Sequence, residues 1–79
     1  MARVLLFGRL VDVAGWRERE VAGARLSAVR EALAAGDTAL GDALGSGGVQ
    51  AAVDGAIVRG DADLQPASEV AFLPPMSGG

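Results

Sequence analysis

Val49-Gln50-Ala51-Ala52-Val53-Asp54-Gly55-Ala56-Ile57-Val58 decides the fold, because two short apolar runs flank an Asp-Gly pair. Asp and Gly tolerate the positive φ angles of a two-residue type I′ turn, so the flanks read as an antiparallel hairpin. With a turn of that length Val53 faces Ala56 and Ala52 faces Ile57 across the ladder. Ile57 then lies on the face opposite Val53, and one of the two faces is the core.

Downstream of the hairpin, Glu69 to Leu73 alternates, with Val70 and Phe72 on one side and Ala71 and Leu73 on the other. This strand stops at Pro74-Pro75, which lack the amide donors a ladder needs. Upstream, Arg3 to Phe7 reads as a first strand, and Leu10 to Ala14 before Gly15 as a turn or helical turn. Trp16 caps the core from a loop, and Arg17 to Val21 carries the charge of an exposed edge strand. Ser27 is the expected N-cap of a helix over Ala28 to Ala35, with Gly36 as a left-handed stop. Val29 and Leu33 then face the sheet with Ala32 alongside, while Arg30 and Glu31 face water. Leu40 and Leu44 repeat the spacing in a weaker helical turn before a loop at Gly45-Ser46-Gly47-Gly48. The order strand, strand, helix, strand, strand, strand predicts an α+β domain: a mixed sheet of about five strands with one main helix packed on one face. The first and last strands are far enough apart in the chain to pair in parallel through a crossover. That is the β-grasp layout, with a domain over residues 1–73 and an extended functional tail over 74–79.

A chain of 79 residues supports one core, and with 51% hydrophobic but only 4% aromatic residues that core is built from Val, Leu, Ile and Ala. Without Cys there is no thiolate nucleophile, Cys-bound zinc or disulfide, and without His the usual general base near neutral pH is missing. Hydrolase triads are therefore excluded. All seven basic residues are Arg against ten Asp and Glu, a formal charge of −3 that disfavours a nucleic-acid partner. The absence of Lys removes any side-chain amine for a Schiff base or an isopeptide bond. Asp61 and Asp63 offer too few oxygens for a hard metal, so no metal site is expected, and Gly45 to Gly48 lacks the Lys and Ser/Thr of a phosphate loop. No apolar run approaches the roughly 20 residues that span a bilayer, and no signal-peptide pattern precedes the first strand. The expectation is a cytoplasmic protein without membrane contact.

The chemistry concentrates in Pro74-Pro75-Met76-Ser77-Gly78-Gly79. Two prolines hold the chain extended, and two glycines without Cβ atoms leave a thin end able to enter a narrow channel. Chain ends made of small residues commonly fray, but here Gly-Gly follows a strand and a stiff spacer. The distinctive group is the α-carboxylate of Gly79. Phosphoryl activation would open its carbonyl to a thiol, persulfide or amine, and those nucleophiles must come from another protein.

In the opening Val4-Leu5-Leu6-Phe7, the middle Ala51-Ala52-Val53-Asp54-Gly55 and the ending Glu69 to Gly79, the chain resembles the small sulfur-carrier subunits of molybdopterin synthase, in the ubiquitin-like β-grasp group. The ending is the specific part: Phe, an apolar residue, Pro-Pro, two residues and Gly-Gly. The resemblance implies that an E1-like adenylyltransferase uses ATP and magnesium to adenylate Gly79. A sulfur donor protein then converts it to a thiocarboxylate. It also implies that Pro74, Pro75, Met76, Ser77 and Gly78 insert into the large catalytic subunit, where sulfur passes to cyclic pyranopterin monophosphate. Two small and two large subunits are implied, with no cofactor bound by this chain itself. Such a chain is the non-catalytic half of a transferase, active only with its large subunit.

Alternation along the strands places Val4, Leu6, Val53, Val58, Val70 and Phe72 toward the helix and leaves Phe7, Ile57 and Leu73 on the opposite face. The resemblance puts partner-binding residues at those same three positions, and an exposed apolar patch near the tail suits docking. Two other readings keep the fold and change the role. One is a sulfur carrier for thiamine, cysteine or tRNA thiolation, or a ubiquitin-like protein modifier. The other is an interaction domain with an inert tail.

Overall fold

The Asp54-Gly55 turn forms with φ of 50° and 88° at its two central residues, the type I′ signature, and pairs Val53 with Ala56 and Ala52 with Ile57. Asp54 does more than turn the chain. Its carboxylate accepts from the Glu69 amide at 2.9 Å and the Ser68 hydroxyl at 3.2 Å, tying the hairpin to the start of the last strand.

The computed structural model describes residues 1–75, with elements in the order β1 (Ala2–Leu6), α1 (Arg9–Ala14), β2 (Glu18–Val21), α2 (Leu26–Gly36), α3 (Thr38–Leu44), β3 (Gln50–Val53), β4 (Ala56–Val58) and β5 (Glu69–Leu73). The five strands form one sheet in the order β2-β1-β5-β3-β4. β1 and β5 are parallel neighbours at the centre and the other pairs are antiparallel, so the sheet is mixed as expected. β2 is an edge strand whose charged residues are exposed, which blunts the edge against further pairing.

Period-two alternation sorts the strands. Val4, Leu6, Val70 and Phe72 are fully buried on the helical side together with Leu10, Leu26, Val29, Leu33, Leu40 and Leu44. Val53 and Val58 pack against the same core while partly buried.

The one main helix expected is α2, and the two helical turns read beside it, at Leu10 to Ala14 and at Leu40 and Leu44, form the short helices α1 and α3. α1 closes on Gly15 in the left-handed conformation and buries Leu10. α2 runs through Gly36, which is not left-handed; the helix stops at Asp37, whose φ of −154° is extended. Asp37 immediately caps α3 by accepting the Leu40 amide at 3.1 Å, so the Leu40/Leu44 repeat becomes a packed helix rather than a loose turn. Ser27 is not the N-cap of α2. It lies inside the first turn, and the Arg25 side chain at the cap position does not cap the helix amides. Ala32 is exposed rather than packed. Arg30 does not simply face water: its guanidinium lies 5.2 Å from the Phe72 ring centroid and donates to the Leu44 carbonyl. Phe7 falls just outside β1, because Gly8 at φ 58° turns the chain and the Phe7 carbonyl accepts from Leu10 to start α1.

Candidate functional site

β5 carries the candidate site. It lies between β1 and β3, so its C-terminal end emerges from the middle of the sheet and is held on both sides, by Leu6 opposite Phe72 and by Gln50 opposite Leu73. The chain then leaves through Pro74 and Pro75, both half-buried. Met76, Ser77, Gly78 and Gly79 lie outside the described residues.

Among the described residues, no helix or second sheet covers the sheet face away from the helices. The registers align Leu5, Ala71, Ala52 and Ile57 in a row across four strands, with Leu73 one step nearer the tail. At about 4.8 Å per strand the row is roughly 14 Å wide. Phe7 and Ile57 are 45% and 49% exposed, which removes both from the core. Leu73 is half-buried between them in strand order. Phe7 follows Leu6 directly and so comes beside Leu73 at the tail end of the sheet, while Ile57 lies one step back in the row of Ala71. Beside Phe7 a cleft of about 440 Å³ opens between β1, α1 and the start of β2, lined by Leu5, Phe7, Gly8, Val11 and Arg17 among others.

Asp61 has a role that sequence reading missed. From the loop after β4 its carboxylate accepts the Ser27 amide at 2.8 Å and the Ser27 hydroxyl at 2.9 Å, and pairs with Arg25 at 3.0 Å. It thus caps α2 from a remote segment, at the helix end that favours a negative charge. The Ser27 amide is the largest cause of a carboxyl held at about 2 rather than its ordinary 3.8, followed by the Ser27 hydroxyl; desolvation opposes them, and the Ala62 amide and Arg25 add smaller lowering contributions. A depressed folded value stabilises the fold above the unfolded value and loses that contribution as pH falls through the folded one. Asp61→Asn is therefore expected to lower Tm at neutral pH, with the gap to wild type closing between pH 4 and pH 2. A gap that persists unchanged at pH 2 would show that the charge is not what matters.

Trp16 packs against the core from the segment before β2, with the Arg19 guanidinium 4.6 Å over its ring, and has the structural role expected of it. Among the described residues no group of three or more His, Cys, Asp or Glu side chains is placed to hold a metal ion, and no helix is long and apolar enough to cross a membrane.

A small mixed sheet with a parallel central pair, helices on one face, an open apolar face and a strand that runs out through two prolines defines a ubiquitin-like β-grasp protein. The chain matches the ThiS family model over residues 4–79 and belongs to that family. It is 36% identical over 81 residues, spanning 100% of both chains, to the molybdopterin synthase sulfur carrier subunit of Escherichia coli (strain K12). Among solved structures it is similar to the small archaeal modifier protein 1 of Methanosarcina acetivorans, with a TM-score of 0.83 and 26% identity over 99% of this chain and 95% of that one. The corresponding protein of Haloferax volcanii superposes with a TM-score of 0.80 at 26% identity, over 99% of this chain and 98% of that one.

Proposed function

We propose that the chain is the sulfur-carrier subunit of a molybdopterin synthase. Gly79 is the reacting residue. An E1-like enzyme uses ATP and magnesium to join the Gly79 carboxylate to AMP with release of pyrophosphate. A sulfur donor then forms the C–S bond as the C–O bond to AMP breaks. The thiocarboxylate inserts, with Pro74 to Gly78, into a large catalytic subunit that docks on Phe7, Ile57 and Leu73, and its sulfur passes to cyclic pyranopterin monophosphate. Two such deliveries make one dithiolene. Apart from the Gly79 carboxylate and the thiocarboxylate it becomes, this chain brings no Cys, His or Lys side chain to act as base or nucleophile in those steps.

The observation that carries the reading is the full-length match to a relative named a molybdopterin synthase sulfur carrier subunit, beside a ThiS family match that runs through residue 79. The exposed Phe7 and Ile57 beside the exit of β5 support a docked rather than a solitary role. The test is the intact mass after incubation with ATP, the activating enzyme and a sulfur source. A gain of about 16 Da localised by fragmentation to Gly79, and not to Met1 or Met76, whose oxidation adds nearly the same mass, is the expected result. An unmodified terminus beside a competent activating enzyme refutes the proposal.

The likeness to two small archaeal modifier proteins favours a second reading, in which the activated terminus is joined to amines of other proteins. Conjugates that contain Gly79 in cells, and that vanish when Gly79 is deleted, would move the assignment to that reading.

A further inference from the structure

Pro74 and Pro75 do not leave the sheet unsupported. A Cβ built on Gly8 would stand 2.8 Å from Cγ of Pro74, and one built on Gly48 would stand 2.7 Å from Cβ and 3.3 Å from Cγ of Pro75. Each pyrrolidine ring therefore fills space that only a glycine leaves open. Gly8 turns the chain between β1 and α1, and Gly48 closes the loop between α3 and β3. Because β5 lies between β1 and β3, the two glycines belong to the connections on either side of the exit. Proline φ is already fixed near −65°, so a ring seated on each side restricts the direction of the chain at Pro75 further than the ring closures alone would.

We propose that Gly8 and Gly48 are positioning residues that form a cradle for the two prolines and aim the chain beyond Pro75 into a partner's active site. The inference rests on the carrier reading and adds to it the part of the domain that sets the tail's line of approach. Aiming matters because misplacing a reacting group by about 1 Å costs on the order of 100-fold in rate. A preset direction also lowers the ordering cost when the tail enters a channel.

The test compares Gly8→Leu and Gly48→Leu with Gly15→Leu and Gly60→Leu. All four glycines have positive φ, at 58°, 89°, 83° and 81°, so each variant carries backbone strain; only the first two have a proline in the way, the others having nothing within 4 Å of the added Cβ. The readout is steady-state activation of the folded protein, varied as substrate of its ATP-dependent activating enzyme. The cradle variants are expected to keep KM and to lose roughly tenfold or more in kcat, because a misaimed tail slows the step that follows binding. The two controls keep both constants. An unchanged kcat in the cradle variants, or an equal loss in the controls, overturns the proposal. In the wild-type protein, nuclear Overhauser contacts between the Gly8 α-protons and the Pro74 ring, and between those of Gly48 and the Pro75 ring, report the cradle without any enzyme. Their absence overturns it as well. Their presence in a protein that no competent enzyme activates overturns the carrier reading and leaves the cradle standing.

Discussion

Deleting Gly79 is expected to abolish ATP-dependent sulfur loading while leaving Tm within a few degrees of wild type. One extended residue spans about 3.5 Å, so the shortened chain presents its carboxylate that far from the position at which the activating enzyme holds the α-phosphate. Reacting atoms must come within roughly 3 to 3.5 Å in the right alignment, and since misplacement by about 1 Å already costs on the order of 100-fold, a shift of one whole residue is far outside what the reaction tolerates. The new end is still a glycine carboxylate, chemically identical to the old one. Loss of loading would therefore report reach and not reactivity. Adding one residue after Gly79 displaces the carboxylate by the same distance in the other direction and should be equally inactive. Stability is spared because β5 ends at Leu73, six positions before the deletion. The experiment pairs intact-mass analysis with thermal unfolding of the same sample; complete loading without Gly79 would sink the assignment of Gly79 as the reacting residue.

The strands were legible because their signals are local. Asp54-Gly55 demands positive φ at both positions, and the pairing of Val53 with Ala56 follows from the length of the turn alone. The alternation in Glu69 to Leu73 then sorts Phe72 from Leu73 without reference to any other segment. The helical layer was harder to read, since its caps come from residues that look like something else. Gly36 has the composition of a stop, yet the stop is the extended Asp37, which at once caps α3. Ser27 has the composition of a cap, yet it donates both its amide and its hydroxyl to Asp61, a residue 34 positions away that reads in isolation as part of a turn. The candidate site divides in the same way. Strand period places Ile57 and Leu73 on the face away from the helices, whereas Phe7 lies past the end of β1, and the seats of Pro74 on Gly8 and Pro75 on Gly48 depend on the sheet order that brings distant loops beside β5.

Phe72→Ala is expected to cost about 3–5 kcal/mol of folding stability, the range for truncating a fully buried phenylalanine. Phe72 has no solvent exposure; it pairs with Leu6 on one side and Ala51 on the other, and its ring meets the Arg30 guanidinium. A domain of this size is held by roughly 4–12 kcal/mol in all, so the substitution removes about a quarter or more of the total. Tm should drop by about 15 °C or more. Sulfur loading should fall only in step with the unfolded fraction, and cooling should restore it. The other phenylalanine provides the contrast. Phe7 is 45% exposed at the edge of the open face, so Phe7→Ala should change Tm by only a few degrees while weakening binding to the large subunit by roughly fivefold or more, as loss of an aromatic anchor does. The two residues share one side-chain chemistry and differ in the face they occupy, which follows from strand alternation and the turn at Gly8. Calorimetry of both variants together with titration of the partner separates the two effects. A larger loss of Tm in Phe7→Ala than in Phe72→Ala would mean that the faces are assigned the wrong way round, and the docking surface would have to be sought on the helical side.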